Sequence, residues 1–260
     1  MTVFNTFYTM VDGLFVSNLI GMEALSALNR TAPAIALITA ISGMLATGGS
    51  AVVMKKMGEG REQEARQDFA LLILTNAVVG GVMMLLGYPL MDTLLGAMGL
   101  SPAVFGYCHT YLSNYLLFTI PILLMYNFSL YLIAADKSTL SLICTVAGGV
   151  TNIILDYVLI ALFDMGIQGA AIATGLGYSI TAVVGFLVFW KQDSLLHFER
   201  PVFRGGVLFH ASTNGMSELA TSLVSGITTL LFNLATPVAE LLGTVMAAAL
   251  LLKYRKRYGY

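Results

Sequence analysis

Residues 168–190 read QGAAIATGLGYSITAVVGFLVFW and contain no charged side chain. A helix that spans the hydrocarbon core of a bilayer needs ~20 predominantly apolar residues. Small residues recur here at every fourth position and would form one stripe on a helix, the pattern along which membrane helices approach closely. They are Gly169, Ala173, Gly177, Thr181 and Gly185. The stretch therefore predicts a membrane-spanning helix that packs tightly against a neighbour.

The whole chain shares this apolar character. Of its 260 residues, 57% are hydrophobic and 10% are charged, with a mean hydropathy of +0.83. An average soluble domain carries roughly 25% charged residues, so the composition excludes an ordinary soluble globule. Only helices and closed barrels satisfy their backbone in hydrocarbon, and barrel strands alternate apolar and polar residues. Because the apolar runs are long and continuous, the predicted fold class is all-α, a polytopic membrane protein.

The same length criterion places about eight helices along the chain. They lie at about 1–20, 24–56, 64–90, 101–135, 138–163, 168–190, 207–233 and 237–253. Pro33 and Pro121 fall inside helices 2 and 4 and predict kinks. Met1 opens directly into an apolar run without signal-peptide features. We interpret it as the middle of a first helix whose beginning is absent.

Twelve of the thirteen basic residues fall on one side if the helices alternate in direction. They flank the breaks after helices 2, 4, 6 and 8, and the exception is Arg30. Basic residues are enriched in cytoplasmic loops. The pattern predicts a multi-pass membrane protein with a cytoplasmic C-terminus; the bacterial inner (plasma) membrane is implied by the family resemblance given below.

Several function classes find no support in the residues. A net charge of -1 and the lack of a basic stripe argue against nucleic acid as a partner. No phosphate-binding loop, zinc-protease motif or nucleophile elbow occurs, so we predict neither an enzyme nor an ATP-driven pump. Cys108 and Cys144 lie within apolar runs, which predicts buried free thiols. No cofactor is implied.

Four acidic residues are predicted to lie at membrane depth, where a carboxylate is costly and usually functional. They are Asp12, Asp156, Glu218 and Glu240. At helical rise, Asp12, Asp156 and Thr174 come out nearly level, ~9–12 Å below the outer surface. Asn152 lies one turn from Asp156 on the same helix face. Glu240 follows Pro237 near a helix end and has the plainer alternative of reaching the membrane interface.

Two carboxylates with an amide and a hydroxyl form an oxygen-rich cluster suited to Na⁺. Two close carboxylates cannot both ionise cheaply without a proton or a cation between them, so the cluster would exchange H⁺ and Na⁺. The alternative is that each group bonds a backbone carbonyl and only stabilises packing. Methionine and aromatic residues, together with Glu218, are candidates for a substrate cavity, with simple packing as the alternative for the apolar ones. These are Tyr8, Met44, Met125, Tyr126 and Tyr131.

Several motifs resemble one family in order and spacing. They are YTMVDGLFV at 8–16, EALSAL at 23–28, GGSA at 48–51, MGEG at 57–60, NIILD at 152–156 and GAAIAT at 169–174. Together they are similar to the multidrug and toxic-compound extrusion (MATE) family, over about residues 1–233. In its DinF-like branch the N-lobe cation site is formed by an aspartate, an asparagine and aspartate pair, and a threonine. The resemblance assigns these to Asp12, Asn152, Asp156 and Thr174.

The resemblance also implies twelve helices in two lobes, from which this chain departs. Residues 214–233 are similar to the seventh helix of MepA-like members, whereas residues 236–257 look like the end of the twelfth. The implied domains are an N-lobe of helices 1–6 at 1–198, with helix 1 incomplete, and a cytoplasmic linker with C-lobe remnants at 199–260. Residues 207–253 are then expected to pack loosely against the bundle.

The resulting hypothesis is an H⁺- or Na⁺-coupled antiporter that exports small organic, often cationic compounds, in an incomplete copy. One alternative is a non-transporting membrane remnant. Another is a flippase for lipid-linked precursors, which a long basic groove would favour, yet only Arg30 is basic within the membrane. Besides the bilayer and its substrates, the expected partner is a second copy in a homodimer that replaces the missing lobe.

Overall fold

The computed structural model describes residues 10–191 and 194–228. Within these ranges the chain is helical and has no strand, as the composition predicts. Labels α1 to α7 follow the predicted helices. They are α1 (Met10–Ile20), α2 (Met22–Gly58), α3 (Glu62–Ala97), α4 (Pro102–Leu117 and Thr119–Ala134), α5 (Ser138–Leu162), α6 (Gly166–Trp190) and α7 (Gly205–Asn214 and 216–228).

Four of these helices, α2, α3, α5 and α6, are long and apolar enough to cross a membrane. The two segments of α4 meet at an angle of 58° and together make a fifth candidate span. The prediction of a polytopic all-α membrane protein is thereby confirmed. The predicted helix at 237–253, the start of helix 1 and the end of helix 7 lie outside the described residues, so the count of about eight stays a prediction.

Helix 4 was predicted as one continuous helix over 101–135, and this is wrong in one respect, because it breaks at Phe118. Pro121 is the third residue of the second segment, where a missing N–H leaves no intrahelical bond unmade. The ring of Phe118 fills the space beside α6 at Gly175, where an added Cβ would lie 2.2 Å from it. Helix α2, in contrast, continues unbroken through Pro33.

Two apolar clusters hold the bundle together. One joins α1, the first turns of α2, the end of α3 and the first segment of α4, and includes the buried free thiol of Cys108. The other joins the end of α2, the start of α3, the second segment of α4 and the first residues of α7 around Phe69. Between them, the side-chain amide of Asn76 on α3 donates to Asn127 Oδ1 on α4 at 3.1 Å. Such buried bonds hold membrane helices in register.

The loops around the second cluster carry the basic residues, and we call this the basic end. Eight of the twelve lie within the described residues. Lys137 after α4 is hydrogen-bonded to Ser194 in the linker after α6. Arg66 on α3 donates to the carbonyl of Leu195 at 3.2 Å. The loops after α2, α4 and α6 therefore meet at one end, as the predicted alternation of helix direction requires.

The small-residue stripe of α6 is buried against its neighbours, as predicted. A Cβ added to Gly177 would lie 2.8 Å from the carbonyl oxygen of Gly148 on α5, and one added to Gly148 would lie 2.7 Å from that of Gly177. A Cβ at Gly185 would meet Phe128 at 2.4 Å. The absence of side chains thus sets how closely α5 and α6 approach.

Helix α7 packs mainly on α2, in backbone contact along a narrow seam. A Cβ added to Gly48 would lie 1.8 Å from the carbonyl oxygen of Ala211, and one added to Gly215 would lie 1.9 Å from that of Met44. Over the described residues 205–228 most other positions of α7 are exposed, whereas about half of α6 is buried. This agrees with the expected looser packing of that region as far as residue 228.

Gly48→Ala and Gly215→Ala should each destabilise the bundle strongly. The new methyl group would overlap backbone, which cannot move aside like a side chain end, and overpacking of this kind costs about 3 kcal/mol. We expect Tm, followed by tryptophan fluorescence in detergent, to fall by on the order of 10 °C. Gly106→Ala is the matched control, because nothing lies within 4 Å of an added Cβ there. A Tm unchanged in both test variants would contradict the backbone contact.

Candidate cation site and cavity

Asp12 and Asp156 lie beside the two π-helical turns of the described chain. Asp12 is four residues before the π turn Val16–Ile20, which ends α1. Asp156 is the last α-helical residue of α5 before the π turn Tyr157–Leu162. The two turns contact each other. Single π turns are rare and are frequent at functional sites, and here they bring both carboxyl-bearing segments together.

Both carboxyl groups are withdrawn from solvent. Asp12 is 5% exposed and Asp156 is fully buried. They face each other closely enough to share a hydrogen bond when one carries a proton. Among the described residues, Asp12 Oδ1 and both carboxyl oxygens of Asp156 have no hydrogen-bond partner. A buried charge without a partner is very costly, so the pair requires a proton or a bound cation.

Asn152 and Thr174 complete the polar group on the facing sides of α5 and α6. The amide Nδ2 of Asn152 donates to Thr174 Oγ1 at 3.3 Å. Asn152 Oδ1 is buried without a partner in the described part of the chain. The close approach of the helices at Gly148 and Gly177 allows this bond. The structure thus places all four residues of the predicted cation group at the contacts of α1, α5 and α6.

A cavity of about 390 Å³ opens beside this group. Its walls come from α2, the second segment of α4, α5, α6 and α7. Among its lining residues are Thr39, Gly43, Thr47, Met125, Tyr126, Ser129, Asn152, Thr174, Tyr178, Thr181, Glu218 and Ser222. Asn152 and Thr174 therefore belong both to the cavity wall and to the predicted cation group. The hydrogen bond from Asn152 to Thr174 therefore lies in the cavity wall.

Three of the predicted cavity residues, Met125, Tyr126 and Glu218, line this cavity. Met44 does not, because Gly43 and Thr47 occupy that face of α2, and the carbonyl of Met44 is turned toward Gly215. Tyr131 is also misassigned, since it is fully buried in the cluster around Phe69. Tyr8 and Glu240 lie outside the described residues.

Glu218, predicted at membrane depth and as a cavity residue, is exposed toward the cavity, with its Cγ 3.1 Å from the position of a Cβ on Gly43. Tyr178, one turn beyond Thr174, also lines the cavity and was missed from the sequence. The i, i+4 spacing of these two residues on a predicted helix was the available signal.

The family model for MatE matches residues 1–158. The chain belongs to the MatE family. Members of this family, which is the multidrug and toxic-compound extrusion family named above, are transporters of the membrane and not enzymes.

Among proteins with assigned activities, this MATE chain resembles "Multidrug export protein MepA" from two staphylococci. It is 21% identical to that of Staphylococcus saprophyticus over 237 residues, covering 90% of this chain and 52% of the relative. It is 22% identical to that of Staphylococcus haemolyticus, covering 76% of this chain and 44% of the relative. The chain spans about half the length of the curated relatives it matches.

Solved MATE structures share the fold. An outward-facing conformation of a multidrug resistance MATE transporter superposes with a TM-score of 0.81 at 22% identity, covering 88% of this chain and 51% of that one. An inward-facing conformation gives 0.81 at 22% identity, covering 86% and 51%. A MATE structure in the straight conformation gives 0.82 at 22% identity, covering 91% and 53%. The described helices therefore have the architecture of about half a MATE transporter.

Proposed function

We propose that this chain forms the N-lobe, and the first part of the second lobe, of a cation-coupled exporter of organic compounds. The proposed N-lobe is residues 1–198, with the linker and C-lobe remnants at 199–260. The observation that carries this is the position of the polar group beside a cavity. Asp12 Oδ1 and both carboxyl oxygens of Asp156 are buried without partners in the described chain, and Asn152, one turn from Asp156, donates to Thr174 in the cavity wall.

The coupling ion would be H⁺ or Na⁺ held by Asp12 and Asp156. A proton shared between the carboxyl groups removes one charge, whereas Na⁺ would use oxygen ligands from both, with Asn152 Oδ1 and Thr174 Oγ1. A cation shifts a conformational equilibrium only through its difference in affinity between the states. Binding that draws Asn152 or Thr174 toward the carboxyl groups changes the cavity wall, which is a direct way to link cation entry to substrate release.

The cavity composition favours organic substrates that carry positive charge. Met125 and Tyr126 offer adaptable apolar surface, and Glu218 supplies a carboxylate. No lysine or arginine is among the cavity-lining residues of the described chain. A flippase for anionic lipid-linked precursors would need basic groups in that place. The names of the staphylococcal relatives, multidrug export proteins, agree with the organic class.

The proposed setting is the bacterial plasma membrane, with the basic end in the cytoplasm. The eight described basic residues at that end support this orientation by the positive-inside rule. These 260 residues span about half the length of the relatives, and we propose that they transport together with a partner, a second copy of the chain in the place of the other lobe. A remnant that binds but does not transport is the alternative, and efflux measurements separate the two.

Glu218→Gln should weaken binding of an organic cation to the purified chain. We expect the Kd for ethidium, measured by fluorescence in detergent, to rise by about tenfold, since a close charge pair between partners couples by more than about one kcal/mol. Glu23→Gln is the matched control, because Glu23 lies in the exposed first turn of α2, away from the cavity. Ethidium that fails to bind the unsubstituted chain, or binds both variants equally, would count against a substrate cavity here.

A further inference from the structure

Asp68 is a third buried acidic side chain among the described residues, and the proposed transport cycle does not use it. It lies on α3 at the basic end and is fully buried. Lys56 from α2 forms an ion pair with its Oδ2, and Arg204 Nη1 donates to its Oδ1 at 3.0 Å. The side chain thus bridges the end of α2 and the residue that precedes α7. A buried carboxylate with two cations holds its surroundings in one arrangement, because loss of either cation leaves charge uncompensated.

Arg204 is bound by a fork of two hydrogen bonds. Besides the bond to Asp68, its Nη2 donates to Gln67 Oε1 at 2.9 Å, and Glu64 Oε2 lies 3.6 Å from Nη1. A planar guanidinium held at two points has a fixed direction as well as a fixed position. α7 begins at Gly205, the next residue along the chain. The fork therefore fixes the start of α7 beside α3.

From that point α7 runs along α2 in backbone contact at Gly48 and Gly215, and reaches the cavity at Glu218. The glycine seam prevents α7 from coming closer to α2, but it cannot by itself prevent tilting or separation. Most other described positions of α7 are exposed. The ion pairs of Arg204, next to the start of the helix, attach it to α3.

We propose that Asp68 is a positioning residue for the cavity: it holds Arg204 at the start of α7, and thereby keeps Glu218 in the cavity wall. Asp68 acts through helix placement and touches no substrate. The geometric part of this inference is independent of the substrate, whereas its effect on binding rests on the proposed function.

The test uses a cysteine pair at the far end of α7, where a small tilt gives a large displacement. A Cβ added to Gly226 would lie 3.0 Å from Cβ of Ala36, near the separation of bridged cysteines, ~3.5–4.5 Å. The pair Ala36→Cys and Gly226→Cys is introduced into the full chain after Cys108→Ser and Cys144→Ala. The rate of oxidative cross-linking then reports how well α7 stays on α2.

Asp68→Asn and Arg204→Gln should each slow cross-linking by about tenfold, because each leaves buried charge without its partner. The double variant should be no slower than either single one, since the two residues act as one unit. Arg204→Lys keeps the charge but loses the fork, so its cross-linking rate should lie between those of the parent chain and Arg204→Gln. Arg61→Gln is the control: Arg61 pairs with Glu59 and Glu64 in the same region and is not bonded to the linker.

Ethidium affinity provides the second readout and should fall in the order in which cross-linking slows. If the parent chain cross-links but does not bind ethidium, the proposed function fails and the cross-linking result still decides the role of Asp68. Should Asp68→Asn not give monodisperse protein, Arg204→Gln carries the test, because Arg204 is partly exposed. Cross-linking of Arg204→Gln at the rate of Arg61→Gln would overturn the proposal.

Discussion

Asp156→Asn is expected to abolish binding of the coupling cation to the purified chain. Asparagine has the same shape but cannot ionise, so a cation entering beside Asp12 would meet a single carboxylate within a buried site. We expect no saturable binding of radioactive Na⁺ to this variant, and no release of protons when Na⁺ is added to the weakly buffered protein. Asp12→Asn should give the same result, because Asp12 Oδ1 and both carboxyl oxygens of Asp156 are buried without a partner among the described residues.

The competition between the two ions has a definite sign. Protons occupy the same oxygens as Na⁺, so the apparent Na⁺ affinity of the unsubstituted chain should decrease as the pH is lowered. Thr174→Val removes one oxygen ligand and the acceptor of Asn152, and should weaken Na⁺ binding by about tenfold.

The matched control is Asp164→Asn. Asp164 follows α5 with φ of 52°, a conformation that asparagine tolerates as well as aspartate does. Asp164 is exposed, so the Asp164→Asn chain should bind the cation as the unsubstituted chain does. Equal cation binding by Asp156→Asn and Asp164→Asn would exclude the carboxyl pair as the site.

The 260-residue chain, expressed alone in a drug-sensitive host without its own exporters, should give the same resistance as an empty vector. Alternating access requires two lobes that rock around a central site, and the described helices correspond to about half of a MATE transporter. Cation binding should persist, because all four proposed ligands lie between residues 12 and 174. Transport and binding are therefore expected to separate.

The measurement is the minimal inhibitory concentration of ethidium, with the Staphylococcus saprophyticus MepA protein as the positive control and immunoblotting to show equal expression. Robust efflux that disappears in Asp156→Asn would contradict this expectation. It would instead indicate that a second copy supplies the absent lobe.

The membrane spans could be predicted from the sequence because they depend on local composition. Continuous apolar runs of sufficient length have few alternatives in a bilayer, and α5 and α6 agree closely with their predicted bounds. The grouping of Asn152 with Thr174 was also accessible, because helical rise gives depth and the i, i+4 rule gives the face.

Features that depend on contacts between distant residues could not be predicted. The break at Phe118 has no glycine or proline at the break itself and is accommodated by the space beside Gly175. Asp68 follows a charged loop, and the residues around it have the composition of a solvated helix end. Its burial requires Arg204, 136 residues further along the chain.

Cavity walls were predicted only in part, because a wall depends on the rotation of each helix as well as on residue type. On α2, adjacent positions 43 and 44 differ by about 100° around the axis, which places Gly43 in the wall and turns Met44 away. Met125 and Tyr126, in contrast, both reach the cavity from α4. The sequence does not give the rotation of α2, and by residue type alone Met44 was a more plausible cavity residue than Gly43.

The backbone contact between α2 and α7 and the cavity beside it differ in evolutionary freedom. At Gly48 and Gly215 no larger residue fits, so these positions are closed to variation whatever compound is present. Thr39, Thr47 and Ser222 line the cavity with side chains that can change size or polarity. Selection by a new toxic compound would therefore act on the replaceable hydroxyl-bearing positions. The glycine seam would remain the fixed edge from which a changed specificity is built.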